Sequence, residues 1–186
     1  MFFQNPMRAQ PQPRQQPTTI QPVQPAALPL ANPANAQATQ EDWLAQPFNP
    51  EFLIPRIRMV ESSGDPNAFN KKENAVGHLQ IRPGVVADVN EWNRRRGIPT
   101  RYTHQDARDP EKAMEMFHAY MARYANEQRL GRKPTNRDAA RIWNGGPMGY
   151  KTTGLEPDKL NRLDEYTQKV RSTAPHELER KQQPKK

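Results

Sequence analysis

Apolar residues recur every three or four positions in the middle of the chain, which is the spacing of an amphipathic helix. The clearest stripe lies in a helix predicted over 109–130 and stopped by Gly131. The apolar members of this stripe are Ala113, Met116, Phe117, Tyr120, Met121 and Tyr124. Four further helices are predicted over 50–61, 83–96, 135–143 and 157–170.

Shorter stripes support the first and the last of these helices. Leu53, Ile57 and Val60 share one face of the first, and Pro55 falls in or near its first turn. The stripe of the last helix comprises Leu160, Leu163, Tyr166 and Val170. A further candidate helix start is the tripeptide Asp42-Trp43-Leu44.

Turn-forming residues at 62–67 end the first helix and leave room for at most a small hairpin between 64 and 82. The pattern therefore predicts a mainly α fold of five to six helices. This domain is expected to span 45–173.

The segments on either side of this region differ from it in composition. Residues 1–40 are rich in Pro and Gln, and 175–186 form a second polar tail. Proline removes backbone donors, and the scarce apolar side chains cannot offset the entropy lost on ordering. We therefore expect a disordered arm over 1–40, serving as a spacer or as a docking segment for a larger assembly, and a disordered basic tail over 175–186.

Composition excludes several classes of protein. No stretch approaches the roughly 20 apolar residues needed to cross a bilayer, and the mean hydropathy is −1.07. Zero cysteines exclude a disulfide scaffold and a thiolate nucleophile. The four histidines have no metal-like spacing, so no metal and no other cofactor is expected.

The formal charge of +8 raises the question of a nucleic-acid partner. Most of the excess lies in the predicted domain, where Arg94-Arg95-Arg96 stands near Trp92. Such runs are usually solvated helix ends, and an anionic bacterial wall accounts for a basic face at least as well as DNA does. Nucleic acid is therefore not expected as a partner.

Glu61 is the most informative single residue. It follows Ile57, Met59 and Val60 at the end of an apolar helix, where partial burial would raise its pKa and keep a proton available near neutral pH. A general acid that protonates a glycosidic oxygen needs this property. Glutamates at helix ends are more often solvated, so the local pattern does not by itself establish catalysis.

The surroundings of Glu61 resemble a known family. Two segments, 58–70 and 75–83, resemble the catalytic segment of the soluble lytic transglycosylases, which cleave peptidoglycan, have a lysozyme-like fold and are related to goose-type lysozymes. In that family a Glu-Ser pair ends the helix and a Gly-Leu-Met-Gln-Ile-type segment crosses the cleft. Residues 140–147 resemble its Ala-Tyr-Asn-Ala-Gly-Pro turn, and 164–170 resemble its closing helix.

The resemblance covers about 50–172 and implies a role for each matching residue. It makes Glu61 the single catalytic acid and base. Ser62 would steady the acetamido group of the substrate or the Glu61 carboxyl, and Gln80 would line the cleft. Asn144 would fix the turn or contact sugar, and Tyr166 would hydrogen-bond near Glu61 and help set its protonation. Each also has a structural interpretation, as a helix stop, a turn residue or a core tyrosine.

Two residues depart from the family pattern. His78 stands where the family has Leu, so an ionisable ring would enter the cleft region or point into solvent. Trp143 replaces the usual Tyr before the Asn, which loses a hydroxyl but offers a flat surface for stacking on a sugar.

The resemblance implies cleavage of the β-1,4 bond between N-acetylmuramic acid and N-acetylglucosamine with a 1,6-anhydro product. If water attacks instead, the same site is a lysozyme, and Asp65 or Asp88 would be a candidate second carboxylate. A catalytically silent virion structural or wall-binding protein remains a third alternative.

The cellular setting is inferred from the start of the chain. Residues 1–6 have no basic start and no apolar run follows them, so no secretory signal is expected. Delivery by a phage particle would bring such an enzyme to the host periplasm and wall during genome delivery. Wall opening for a secretion or conjugation machine is the alternative, and other proteins of either assembly would bind the arm.

Overall fold

A computed structural model describes residues 43–173, and the predicted arm and basic tail lie outside the described residues. The helices are α1 (Pro50–Ser62), α2 (Pro83–Arg95), a 3-10 helix (His104–Arg108), α3 (Pro110–Tyr124), α4 (Glu127–Leu130), α5 (Asn136–Gly145) and α6 (Pro157–Ser172). The strands are β1 (Phe69–Asn70) and β2 (Ala75–Val76). The predicted mainly α, lysozyme-like fold with one small hairpin is confirmed.

Local sequence explains where the helices begin. Proline occupies the first turn of α1, α2, α3 and α6, where its missing N–H costs nothing. The Asn49 side chain accepts from the backbone N–H of Glu51 at the start of α1. Thr135 and Asp138 form a reciprocal capping box at α5, so Thr135 precedes the helix and is not its first residue.

The core contains the whole stripe predicted for the third helix. All six of its members are buried, with Phe117 completely enclosed. Leu53 and Ile57 of α1 and Ile142 of α5 belong to the same buried cluster. Helix α1 contacts both α5 and α6, and α5 and α6 contact each other.

Two helix predictions are wrong in part. The helix predicted over 109–130 breaks after Tyr124, because the side chain of Asn126 accepts from the N–H of Arg129 and starts α4 instead. Gly131 then ends α4 in the left-handed conformation, as predicted.

The candidate start at 42–44 also fails for its described residues, because Trp43 and Leu44 form a turn. Their carbonyls accept hydrogen bonds from the side chain of Asn136 and the N–H of Arg137. They therefore bind the first turn of α5 and do not begin a helix themselves.

The hairpin lies between α1 and α2. Phe69 pairs with Val76 and Asn70 pairs with Ala75 in antiparallel register. Gly77 turns the chain next to the 3-10 helix with a φ of 79°, and an added Cβ would lie 1.9 Å from the carbonyl oxygen of Ala107. Glycine is therefore required at this position. No helix within 43–173 is long and apolar enough to cross a membrane.

Candidate active site

Glu61 lies in the last turn of α1, where a tight cap ends the helix. Ser63 adopts the left-handed conformation, and the N–H groups of Ser63 and Gly64 donate to the carbonyls of Met59 and Arg58. This cap ends the helix immediately after Glu61-Ser62 and fixes the direction in which the Glu61 carboxyl leaves it.

Tyr166 of α6 forms a hydrogen bond with the Glu61 carboxyl. Its hydroxyl donates to Oε1 of Glu61 at 2.8 Å. Burial raises the pKa of Glu61 to about 7, while the Tyr166 hydrogen bond and the charge of Arg82 oppose this rise. The phenol is itself buried beside the carboxylate, which raises the pKa of Tyr166 well above its ordinary value. The carboxyl can therefore lose and regain a proton near neutral pH, while the tyrosine stays protonated as a donor.

A cleft of about 480 Å³ opens beside this pair. It is lined by Glu73, Arg82, Asn144, Gly145, Lys159, Arg162, Leu163, Glu165, Tyr166 and Lys169. Tyr166 therefore connects the two features, since it forms part of the cleft wall and donates to Glu61. Of the predicted site residues, Tyr166 and Asn144 line the cleft. Glu61, Ser62 and Gln80 are not among its lining residues.

Ser62 and Gln80 are engaged with the backbone. The Ser62 hydroxyl donates to the carbonyl of His78 at 2.9 Å and ties the end of α1 to the loop after the hairpin. Gln80 has a φ of 50°, and its side-chain amide donates to the carbonyl of Gly77 at 2.8 Å. Both residues stabilise the loop that follows the hairpin, and their contacts with substrate stay predictions.

Arg82 and Glu73 are cleft residues that the sequence did not single out for function. They form an ion pair between the hairpin turn, which contains Glu73, and the residue that precedes α2, with Arg82 Nε 2.8 Å from Glu73 Oε2. Arg82 also donates to the carbonyl of Asn144 at 3.4 Å. Arg82 directly follows the Gln80-Ile81 motif, which is a signal that could have pointed to it. Glu73 lies in an ordinary polar turn and has no comparable signal.

The structure contradicts both expectations for the residues that depart from the family pattern. His78 reaches neither cleft nor solvent: it is completely buried with both ring nitrogens unpaired, and burial lowers its pKa to about 4. Trp143 is buried against Phe117, with ring centroids 4.8 Å apart, so it is a core residue and not a sugar-stacking surface. Neither ring is therefore available to a bound sugar.

The candidate second carboxylates lie elsewhere. Asp65 is exposed and accepts from the N–H of Asn67, which is a turn contact. Asp88 pairs with Arg123 at 3.5 Å. The carboxylates on the cleft wall are Glu73, which is paired with Arg82, and Glu165.

The remaining charged groups give little support to nucleic-acid binding or to a metal site. Arg94 and Arg95 both pair with Glu91, and the Arg96 guanidinium lies over the Trp92 ring, which is a solvated helix end. No group of three His, Asp or Glu side chains that could hold a metal ion occurs between residues 43 and 173.

The fold and the site together define a class: a mainly α domain in which a partly buried helix-end glutamate, hydrogen-bonded to a tyrosine beside a cleft, can act as a general acid and base. The model of the transglycosylase SLT domain matches residues 39–146, more than half of the chain. The chain therefore belongs to the transglycosylase SLT family. The matched range contains Glu61, Ser62, Gln80 and Asn144 and ends before α6, which supplies Tyr166.

A solved structure gives a further comparison. The chain is similar to the 70 kDa soluble lytic transglycosylase SLT70 from Escherichia coli, with 18% identity and a TM-score of 0.48. The similarity covers 72% of this chain and 22% of that enzyme, so the chain spans about a fifth of its length. No curated protein matches the chain.

Proposed function

We propose that the protein is a peptidoglycan lytic transglycosylase that cleaves the β-1,4 bond between N-acetylmuramic acid and N-acetylglucosamine. The observation that carries this proposal is the partly buried Glu61 carboxyl, with a pKa of about 7 and a hydrogen bond from Tyr166. Membership of the transglycosylase family supports the same reaction class.

The reaction uses Glu61 twice. The protonated carboxyl first donates its proton to the glycosidic oxygen, which leaves as the hydroxyl of N-acetylglucosamine. The muramoyl acetamido group stabilises the anomeric carbon during this step. The Glu61 carboxylate then removes the proton from the 6-hydroxyl of the same muramoyl sugar, whose oxygen closes the 1,6-anhydro ring. No water is consumed, and Glu61 ends protonated, as it began.

The surroundings of Glu61 suit both steps. Burial disfavours the carboxylate, so a proton is present at neutral pH and the carboxylate formed in the first step is a good base. The Tyr166 hydroxyl and the Arg82 charge favour the carboxylate and limit the rise in its pKa. We assign Ser62 and Gln80 the role of stabilising the loop beside the acid, and Asn144 that of contacting sugar on the cleft wall.

Product analysis of digested sacculi tests this reaction. Purified sacculi are incubated with the protein, and the released muropeptides are weighed by mass spectrometry. Anhydro products, each lighter by one water than the reducing product, are expected. Reducing products alone would mean that water attacks and that the protein is a lysozyme. Absence of both would favour the silent wall-binding alternative.

The setting that we propose is a phage particle, from which the enzyme opens the host wall locally during genome delivery. The Pro/Gln-rich composition of 1–40 supports this setting, because such a segment suits a tether to a larger assembly. Mass spectrometry of purified virions tests it. Absence of the chain from virions, with copurification with a secretion or conjugation machine, would favour that alternative.

A further inference from the structure

Glu73 is a cleft carboxylate whose backbone is held by the hairpin turn. The side chain of Asn70 accepts hydrogen bonds from the N–H groups of Lys72 and Glu73, at 3.1 and 3.3 Å, which closes the turn. Glu73 lines the cleft, and its negative charge lies close enough to Glu61 to raise the pKa of that carboxyl. A second carboxylate therefore stands near the proposed acid.

Arg82 holds this second carboxylate. Two nitrogens of its guanidinium donate to the same oxygen, Oε2 of Glu73, with Nε at 2.8 Å. The third nitrogen donates to the carbonyl of Asn144 on the cleft wall. The backbone on both sides of Arg82 is fixed, because Val76 and Ile81 form an antiparallel bridge just before it and α2 begins just after it. The guanidinium is therefore held against Glu73.

A free carboxylate at the position of Glu73 would open a second reaction. Hydrolysis by a pair of carboxyl groups needs one to protonate the glycosidic oxygen and the other to accept a proton from water. Glu61 would give its proton to the glycosidic oxygen, and the water oxygen would bond to the anomeric carbon as the glycosidic bond breaks. Glu73 would take the proton from that water, and exchange with solvent would restore both carboxyl groups. The product would then have a reducing end and no anhydro ring.

The ion pair stands in the way of this second reaction. The side chains of Arg82 and Glu73 are 41% and 45% exposed, so burial does not keep water from Glu73. Its Oε2, however, already accepts two N–H groups in a charge-assisted contact, which leaves this oxygen less available to a water molecule. We propose that Arg82 selects the product of the reaction: by pairing with Glu73 it keeps this carboxylate from activating water, so that the 6-hydroxyl closes the anhydro ring.

Arg82 is thus a positioning residue, which acts on the outcome through Glu73. The inference rests on the proposed function and adds to it the residue that separates transglycosylation from hydrolysis. A purely structural role of Arg82 would change the rate or the stability but not the kind of end that is formed.

The test measures which ends are formed when glycan strands are cut. The native reducing ends of the strands are first reduced chemically, so every new reducing end comes from cleavage. The ratio of reducing to anhydro ends is then measured by mass spectrometry at one pH, with the full chain and its variants.

The variants are Arg82→Gln alone, Arg82→Gln combined with Glu73→Gln, and Arg82→Gln combined with Glu165→Gln. Glu165 is the matched control for Glu73, because it is also a carboxylate of the cleft wall. Arg94→Gln is the control for Arg82→Gln, because Arg94 is also paired with a glutamate, Glu91, and does not line the cleft.

We expect Arg82→Gln to raise the ratio about two- to fivefold, the factor by which a partly exposed ion pair changes the population of the free carboxylate. Adding Glu73→Gln should return the ratio to that of the unmodified protein, although the charge of Arg82 is still missing beside Glu61. Adding Glu165→Gln should leave the ratio raised, and Arg94→Gln should not raise it. An unchanged ratio in Arg82→Gln, or a raised ratio that persists without Glu73, would overturn the inference.

Salt provides a second test that does not depend on the folding of Arg82→Gln. Because salt screens partly exposed ion pairs, the ratio should rise with salt concentration in the unmodified protein and stay constant in Glu73→Gln. The same response to salt in both proteins would also overturn the inference.

Failure of the proposed function is seen without any variant. If the unmodified protein forms no anhydro ends, the proposed function fails, and the selection of the anhydro product fails with it. If the unmodified protein forms them, the ratios in Arg82→Gln and in its combination with Glu73→Gln decide whether Arg82 selects the product.

Discussion

Replacing Tyr166 with phenylalanine removes the hydroxyl that donates to Glu61 and keeps the ring that fills the space between α1 and α6. The hydrogen bond favours the ionised carboxylate, so its loss raises the pKa of Glu61 further above its starting value of about 7. The sign is therefore fixed: the protonated form of Glu61 persists to higher pH in the variant.

The size of the shift follows from the hydrogen bond. A hydrogen bond to a charged group contributes about 1.5–3 kcal/mol, and one pKa unit corresponds to about 1.4 kcal/mol. We use the lower bound because the cleft admits water, and we expect a rise of about one unit. The basic limb of the pH profile, set by loss of the Glu61 proton, should move from about pH 7 to about pH 8.

The assay is the pH dependence of kcat/KM on soluble glycan strands, which reports the pKa of the free enzyme. Tyr102→Phe is the matched control, because Tyr102 also donates to a glutamate, Glu115, at 2.7 Å, away from Glu61. Its profile should match that of the unmodified protein. A basic limb that stays in place or moves to lower pH in Tyr166→Phe would show that the Tyr166 hydroxyl does not lower the pKa of Glu61.

Three further predictions concern stability, measured as the free energy of unfolding in denaturant or as Tm. Burial raises the pKa of Glu61, so stability declines as pH rises from 4.5 to about 7. The free energy of unfolding of Glu61→Gln should therefore exceed that of the unmodified protein by about 3 kcal/mol at pH 8 and by little at pH 4. An equal difference at both pH values would contradict this. Burial lowers the pKa of His78 to about 4, so stability is lost as pH falls from 6.5 toward 4. His78→Leu should stabilise by about 1 kcal/mol at pH 7 and about 3 kcal/mol at pH 5, and a gain independent of pH would count against this. Finally, a Cβ on Gly145 would lie 2.5 Å from Cδ2 of the buried Leu163, whereas one on Gly84 meets nothing within 4 Å. Gly145→Ala should lower Tm, at a cost of about 1–3 kcal/mol, while Gly84→Ala should leave Tm unchanged or raise it.

Long periodic stripes made most of the fold predictable from sequence. The stripe from Ala113 to Tyr124 specified a buried face correctly because six apolar positions at helical spacing leave little choice of orientation. The break at Asn126 was missed because a single side chain capping the next turn outweighs the helical pattern around it.

The site was predictable where a motif fixes local geometry. The cap at Ser63 and Gly64 follows directly from the sequence and determines where Glu61 leaves α1. The hydrogen bond between Tyr166 and Glu61 was expected only from the family resemblance, because it joins residues 105 positions apart.

Other features depend on how elements rotate and pack. Whether Trp143 faces the cleft or the core is decided by the packing of α5 against Phe117, which periodicity does not reveal. The pairing of Arg82 with Glu73 depends on how the hairpin turn lies against the start of α2. The cations of α6 look like the solvated face of a helix until the fold places them along the cleft.

We propose that the partly buried Glu61 carboxyl supplies the proton for glycan cleavage. The most direct measurement compares single-turnover cleavage of purified glycan strands by Glu61→Gln and by Glu51→Gln, which alters an exposed glutamate at the other end of α1. We expect a fall in rate of at least a hundredfold for Glu61→Gln and a rate close to that of the unmodified protein for Glu51→Gln. Cleavage by Glu61→Gln at the unmodified rate, with the same products, would contradict it.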